Sequence, residues 1–153
     1  MEQSAVRALV AVVAGAPGDA DAAWQKLKTI GSDVVPFLAE AFPMTKKWQG
    51  RVALVFHCIP HARTSTAAFD LGLLALQDKS HMVRYRACGL LAYSLQTRAI
   101  PDLRRLLGHR DHRSVEDATA AIDAIENQNH HFFVDRTHSG QSFWEVNPGD
   151  RPA

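Results

Sequence analysis

Apolar residues recur at helical spacing through most of the chain. The clearest case is residues 78–107, where Val83, Ala87 and Leu90 fall at i, i+4 and i+7 on one stripe. Pro101 stands near the start of the next such segment, where a missing N–H costs little, and Leu103, Leu106 and Leu107 supply its apolar face. The same reading predicts eight helices. The first covers about residues 2–14, with Val6, Leu9, Val10 and Val13 inward. The second, capped by Asp19 or Asp21, carries Ala23, Leu27 and Ile30 and ends at Gly31. The third covers 34–42 behind a Ser32 or Asp33 cap. The fourth opens at Thr45 and ends at Pro60, with Trp48, Val52 and Val55 in its stripe. The fifth covers 64–76, the sixth follows a Ser80 cap, and the seventh covers 99–107. The eighth covers 112–127, with Val115, Thr119 and Ile122 on one side.

These segments arrive in pairs at a nearly fixed step. Pro36-Phe37-Leu38, Phe69-Asp70-Leu71 and Pro101-Asp102-Leu103 are separated by 33 and then 32 residues. Val83-Ala87-Leu90 and Val115-Thr119-Ile122 are 32 apart, and Trp48-Val52-Val55 precedes the former by 35. Ala23-Leu27-Ile30 joins the series after a small deletion. Helix pairs at a constant step predict an all-α solenoid of about four pairs over residues 1–130.

The segment Ala99-Ile-Pro-Asp-Leu-Arg-Arg-Leu-Leu and the segment from Asp78 to Leu91 resemble HEAT repeats, closest to the short bacterial variety of the phycobilisome-lyase type. Asp78, Val83, Arg84, Ala87 and Pro101 stand where that family places its turn Asp, the Val-Arg pair opening the second helix, and the first-helix Pro. The resemblance is good over 62–127, fair over 33–59 and weak over 1–31; the last repeat departs, with Glu116 where an Arg is expected. It implies a right-handed stack whose second helices line a concave face, in a family of scaffolds and binding surfaces. Fold likeness does not by itself name what is bound.

The end of the chain reads differently. His131-Phe-Phe-Val-Asp and Gln141-Ser-Phe-Trp-Glu-Val are β-prone runs around a five-residue connection containing Gly140, which predicts a small β-hairpin cap over 131–146 and a loose tail over 147–153. Phe132, Val134, Phe143 and Trp144 would cover the last helix pair, since a solenoid needs its ends closed.

Composition narrows the function classes. In 153 residues the net charge is +1, and Lys/Arg and Asp/Glu are balanced in both halves, seven to six over 1–77 and ten to ten over 78–153. Neither half is a basic arm suited to nucleic acid. No run reaches the roughly 18 apolar residues of a membrane span, and the expectation is a cytoplasmic protein with no membrane partner. Cys58 and Cys88 lie in apolar helical stretches and read as small buried hydrophobes. Among the eight His, His57 and His61 are interrupted by Pro60, His109 and His112 sit among arginines, and His130 and His131 would point apart in an extended strand. Asp135, Thr137, Ser139 and Gly140 mimic the start of a calcium loop, but Val146 stands where its bidentate Glu is needed. No metal, cofactor or catalytic residue is therefore assigned.

The leading expectation is a non-enzymatic module that binds another protein on the concave face, of which an immunity protein masking a bacterial toxin is one form. The residues beside the buried stripe that would meet the partner are Trp48, His57, Arg84, Tyr85, Glu116, Asp117 and Asp123, with Arg84 and Glu116 expected to pair across adjacent helices. The alternative is a HEAT-like enzyme related to bilin lyases or DNA glycosylases. For the latter, Trp48 with Lys46, Lys47 and Arg51 is the nearest approach to a basic groove.

Overall fold

The computed structural model describes residues 1–152. Eight α-helices follow in order: α1 (Gln3–Val13), α2 (Ala20–Leu27), α3 (Val35–Ala41), α4 (Trp48–Cys58), α5 (Thr66–Ala75), α6 (His81–Ser94), α7 (Ile100–Leu106) and α8 (His112–Glu126). Each coincides with a segment read from the apolar spacing. The ends follow from local chemistry. Gly31, at φ +60°, breaks the chain after α2, a backbone setting that Gly alone adopts freely. Asp19, Ser65 and Asp111 accept backbone N–H groups at the starts of α2, α5 and α8. Pro36 and Pro101 occupy the first turns of α3 and α7. Ser80 precedes α6 but its hydroxyl makes no capping bond; the Asp78 carboxylate instead accepts from the Ser80 N–H at 2.9 Å.

Packing runs along the chain from one helix pair to the next. α1 lies on α2 and α3, α3 on α4 and α5, α4 on α5 and α6, and α8 on α6 and α7. One continuous core results, from Val10 and Leu27 through Leu38, Leu54 and Phe69 to Leu90, Leu103 and Ile125. α6 is enclosed on most sides. Ten of its fourteen residues are buried, from Val83 to Ser94, because α4, α5, α8 and the C-terminal segment all pack on it. A helix so enclosed needs no single apolar stripe.

The expected β-hairpin over 131–146 does not form; the described residues contain no strand. His130–Phe133 is a 3-10 turn, and the rest of the segment runs without regular structure. The reason lies in competing partners. The Asp135 carboxylate accepts the N–H groups of Ser139 and Gly140, donors that a ladder would need. Phe133 and Trp144 pack on Gly89 of α6 rather than on each other alone. The two runs do meet, but through histidine rings that converge instead of pointing apart. His131 Nδ1 accepts from the Trp144 N–H at 2.9 Å, and His130 Nε2 donates to the Trp144 carbonyl at 2.8 Å.

Residues 147–150, part of the expected loose tail, form a turn. Asn147 Nδ2 donates to the Pro60 carbonyl and the Tyr93 hydroxyl, and the Tyr93 hydroxyl donates to Asp150. The segment thus straps across α8 and α6 as far as the turn that follows α4.

Close approach of α4 to the end of α1 depends on Gly50. A Cβ there would stand 2.1 Å from the Ala14 carbonyl oxygen, and backbone cannot swing aside. Gly50→Ala is expected to lower stability by about 1–3 kcal/mol in urea unfolding, as overpacking does. Gly108→Ala, whose Cβ would meet only the Arg105 oxygen at 3.6 Å, should change it by less than about 0.5 kcal/mol.

Candidate partner-binding face

Two layers of side chains cross the second helices of the pairs, and they have different roles. The lower layer is a ladder of buried arginines. Arg51 of α4 bonds the Asp78 carboxylate with Nε and Nη2 at 2.8 and 3.1 Å, and gives Nη1 to the Thr45 and Lys46 carbonyls. Arg84 of α6 repeats the arrangement one unit on, with bonds to Ser114 Oγ, the Asp78 carbonyl and Asp111 Oδ2. The Arg113 side chain on the same carboxylate holds Asp111 down to about 2. Planar guanidinium forks suit such multiple acceptors.

This ladder corrects the register. Arg51 and Arg84, and Asp78 and Asp111, are each 33 residues apart, so the position after Arg84 in the series is Asp117, not Glu116. The expected Arg84–Glu116 pair is absent, because Arg84 is turned inward and only 5% exposed. Asp117 is likewise buried, held by Arg136 at 3.0 Å and by His81 at 3.3 Å. Glu116 is exposed, and Asp123 meets His138 Nε2 at 2.5 Å. With Arg136 and His138, Glu116 and Asp123 border an open groove of about 490 Å³ along α8.

The upper layer is a row of rings joined through one guanidinium. Trp24 of α2 stacks on His57 of α4, with centroids 3.8 Å apart. Phe56 meets His57 edge to face. Arg86 of α6 lies 4.7 Å from the Phe56 ring centre and 5.3 Å from that of Tyr85. Tyr85 in turn faces Phe133 of the C-terminal strap at 5.7 Å. The row therefore links three successive second helices and the strap, and Phe56 remains 45% exposed within it. Trp48 is equally exposed at the start of α4.

Of the residues expected to meet a partner, His57 and Tyr85 belong to this row, Trp48 and Glu116 are exposed, and Asp123 is half-buried. Arg84 and Asp117 belong to the buried layer. Arg51, counted with Trp48 towards a basic groove, is tied to Asp78. Trp24 and Arg86 were missed. Phe56 was recognisable as an outward position on the fourth helix, but the contact between Phe56 and Arg86 needs the packing of α4 on α6.

Burial shifts the His57 ring and the two thiols beside the face. Burial lowers His57 to about 4, so its ring is neutral against Trp24. Burial pushes both thiols up, Cys58 to about 12, which removes the thiolate that nucleophilic chemistry requires. Asp135, in the calcium-like stretch, is held down mainly by the Ser139 hydroxyl and is committed to its own turn. Among the described residues, no three His, Cys, Asp or Glu side chains converge as a metal site would need, and no helix is long and apolar enough to cross a membrane.

In comparisons with known proteins, no family model, no curated protein and no solved structure matches the chain.

Two measurements check this division of layers. Asp78→Ala leaves Arg51 buried without its counter-charge and is expected to cost about 3–5 kcal/mol in urea unfolding. His57 has a folded pKa below its unfolded value, so protons favour the unfolded chain between pH 4 and 6.5. Stability therefore falls as pH drops through that window. A ring-proton NMR titration should place the His57 midpoint well below 5.5; a midpoint near 6.5 would contradict the stacked, desolvated ring.

Proposed function

We propose that the chain is a short right-handed HEAT-like α-solenoid that binds another protein, without catalysis, on the face made by α2, α4 and α6. The solenoid reading is supported by the arginine ladder, which recurs at 33 residues with the same turn carboxylate, and by packing that passes from each pair to the next. Repeat stacks of this kind present extended surfaces rather than enclosed sites.

The observation that carries the binding reading is the aromatic row with Phe56 exposed in it. Phe56, against Arg86, and Trp48 at the start of α4 leave large apolar surfaces in water, and aromatic and Arg side chains are the residues that dominate protein interfaces. The strap already packs on Gly89, Tyr85 and Tyr93 of α6, and the exposed aromatic surface left on the face, Phe56 and Trp48, lies on its α4 side. A toxin-masking role would use the same surface, with the partner's working face turned towards it.

Co-purification from the native cell tests the reading. The wild-type chain is expected to bring down one partner at equal stoichiometry. Phe56→Asp should abolish capture, while Leu74→Asp, on the exposed side of α5, should leave it intact. Equal capture by both variants would place the interface elsewhere.

A further inference from the structure

Arg86 stands apart from the other half-buried and buried arginines. Arg51 and Arg84 each satisfy several acceptors. Arg86 donates no hydrogen bond and has no carboxylate within 4.0 Å among the described residues, and its Nε is buried without any partner. A desolvated guanidinium N–H left unpaired is costly, and here the guanidinium meets only the Phe56 and Tyr85 rings, which attract its charge without satisfying its donors. Beside it opens a small hollow lined by Ile59, Tyr85, Gly89, Val134 and Trp144.

The charges around it favour an anion. Neither α4 nor α6 contains an Asp or a Glu. The carboxylates that reach these helices from their neighbours are all engaged elsewhere: Asp78 by Arg51, Asp111 by Arg84 and Arg113, Asp117 by Arg136 and His81, and Asp150 by Tyr93. Lys46 and Lys47, at the N-terminal approach to α4, are exposed and make no ion pair among the described residues. The surface is therefore cationic where it is most apolar. A nucleic acid would need several cations in a regular track along the backbone; a single planar fork set among Phe56, Tyr85 and Val134 instead fits one carboxylate with apolar neighbours.

We propose that Arg86 is the anchor of the binding face, and that its partner is an acidic protein segment that places an Asp or Glu carboxylate on the Arg86 fork, with apolar side chains on either side of it packing on Phe56 and Val134. This deepens the protein-binding reading and rests on it. Binding gives the Nη1 and Nη2 donors of Arg86, which unlike its Nε are not buried, the acceptor they lack, and moves the carboxylate out of water into a bidentate contact, the strong form of such a bond.

Selection of a random dodecapeptide display library on the purified full chain tests the proposal. The enriched peptides should carry an Asp or Glu next to apolar residues. Their affinity should fall roughly 10- to 100-fold with Arg86→Gln, in keeping with a hydrogen bond to a charged group. It should fall similarly when that peptide residue is changed to Asn or Gln on the wild-type chain, which needs no protein variant to fold. Arg86→Lys should recover only part of the loss, since a point charge cannot form the fork. Peptides that weaken with Phe56→Ser but ignore Arg86→Gln would overturn the anchor and leave the binding face standing. Peptides indifferent to both substitutions would overturn both. A 20-nucleotide single strand that binds at physiological salt, and loses binding with Arg86→Gln, would overturn the carboxylate assignment in favour of phosphate.

Discussion

The bonds of Arg51 and Arg84 to the carboxylates that open the next unit are the constraint on which the rest of the molecule rests. Each guanidinium sits near the start of a second helix and reaches forward to the turn that begins the following one. It fixes at once the height of neighbouring helices and the path of the turn between them. Removing two charges from water is expensive, and the attraction between them repays it only when every donor is used. Arg51 approaches that condition with four bonds, adding the Thr45 and Lys46 carbonyls to Asp78, and Arg84 engages each of its three nitrogens, adding Ser114 and the Asp78 carbonyl to Asp111. A buried ladder of this sort specifies register more than it adds net stability.

Because the ladder uses up its carboxylates, it shapes the surface above it. α4 and α6 bring only basic charge, and two of their three arginines are neutralised from below. What reaches the upper layer is Arg86 and a set of rings. At α8 the order reverses. Asp117 takes the place of the next ladder arginine; its charge is met by Arg136 from the C-terminal strap, and His81 Nε2 of α6 lies within hydrogen-bonding distance. The strap therefore closes the series where the ladder has no further carboxylate to offer. His130 helps to hold it. Burial lowers the pKa of this ring, while Nε2 donates to the Trp144 carbonyl and Nδ1 faces the Arg63 guanidinium at 3.0 Å.

Helix positions were legible in the sequence because apolar spacing is a local property, and α6 buries Val83, Ala87 and Leu90 as its stripe requires; α8 is turned from its expected stripe, burying Ala118, Ala121 and Ile125 while Thr119 is exposed. The step between units was legible to within one residue from α6 to α8, where 32 was read for 33, and to within two from α4 to α6, where 35 was read. That single residue mattered: counting from Val83 to Val115 sets Glu116 opposite Arg84, whereas the carboxylates at Asp78 and Asp111 set Asp117 there. Buried ion pairs are poorly visible in sequence, since an arginine on a helix reads as exposed until its acceptor is known. The C-terminal segment misled for a related reason. Phe132, Phe133 and Trp144 look like strand residues, but their preference records a need for burial, which α6 and α8 supply without a ladder. Arg86 and Phe56 lie on different helices, and no pattern within either one joins them.

The central claim is that two arginines on one helix, two residues apart, have opposite duties: Arg84 holds the fold and Arg86 is held in reserve for a partner. Urea unfolding of Arg84→Gln and Arg86→Gln, measured side by side on the free chain, tests it most directly. The account predicts a loss of about 3–5 kcal/mol for Arg84→Gln, as when one side of a buried pair is removed. For Arg86→Gln it predicts a change within about 1 kcal/mol, the scale of an exposed cation–ring contact. Equal losses in the two variants, or a larger one at Arg86, would contradict it.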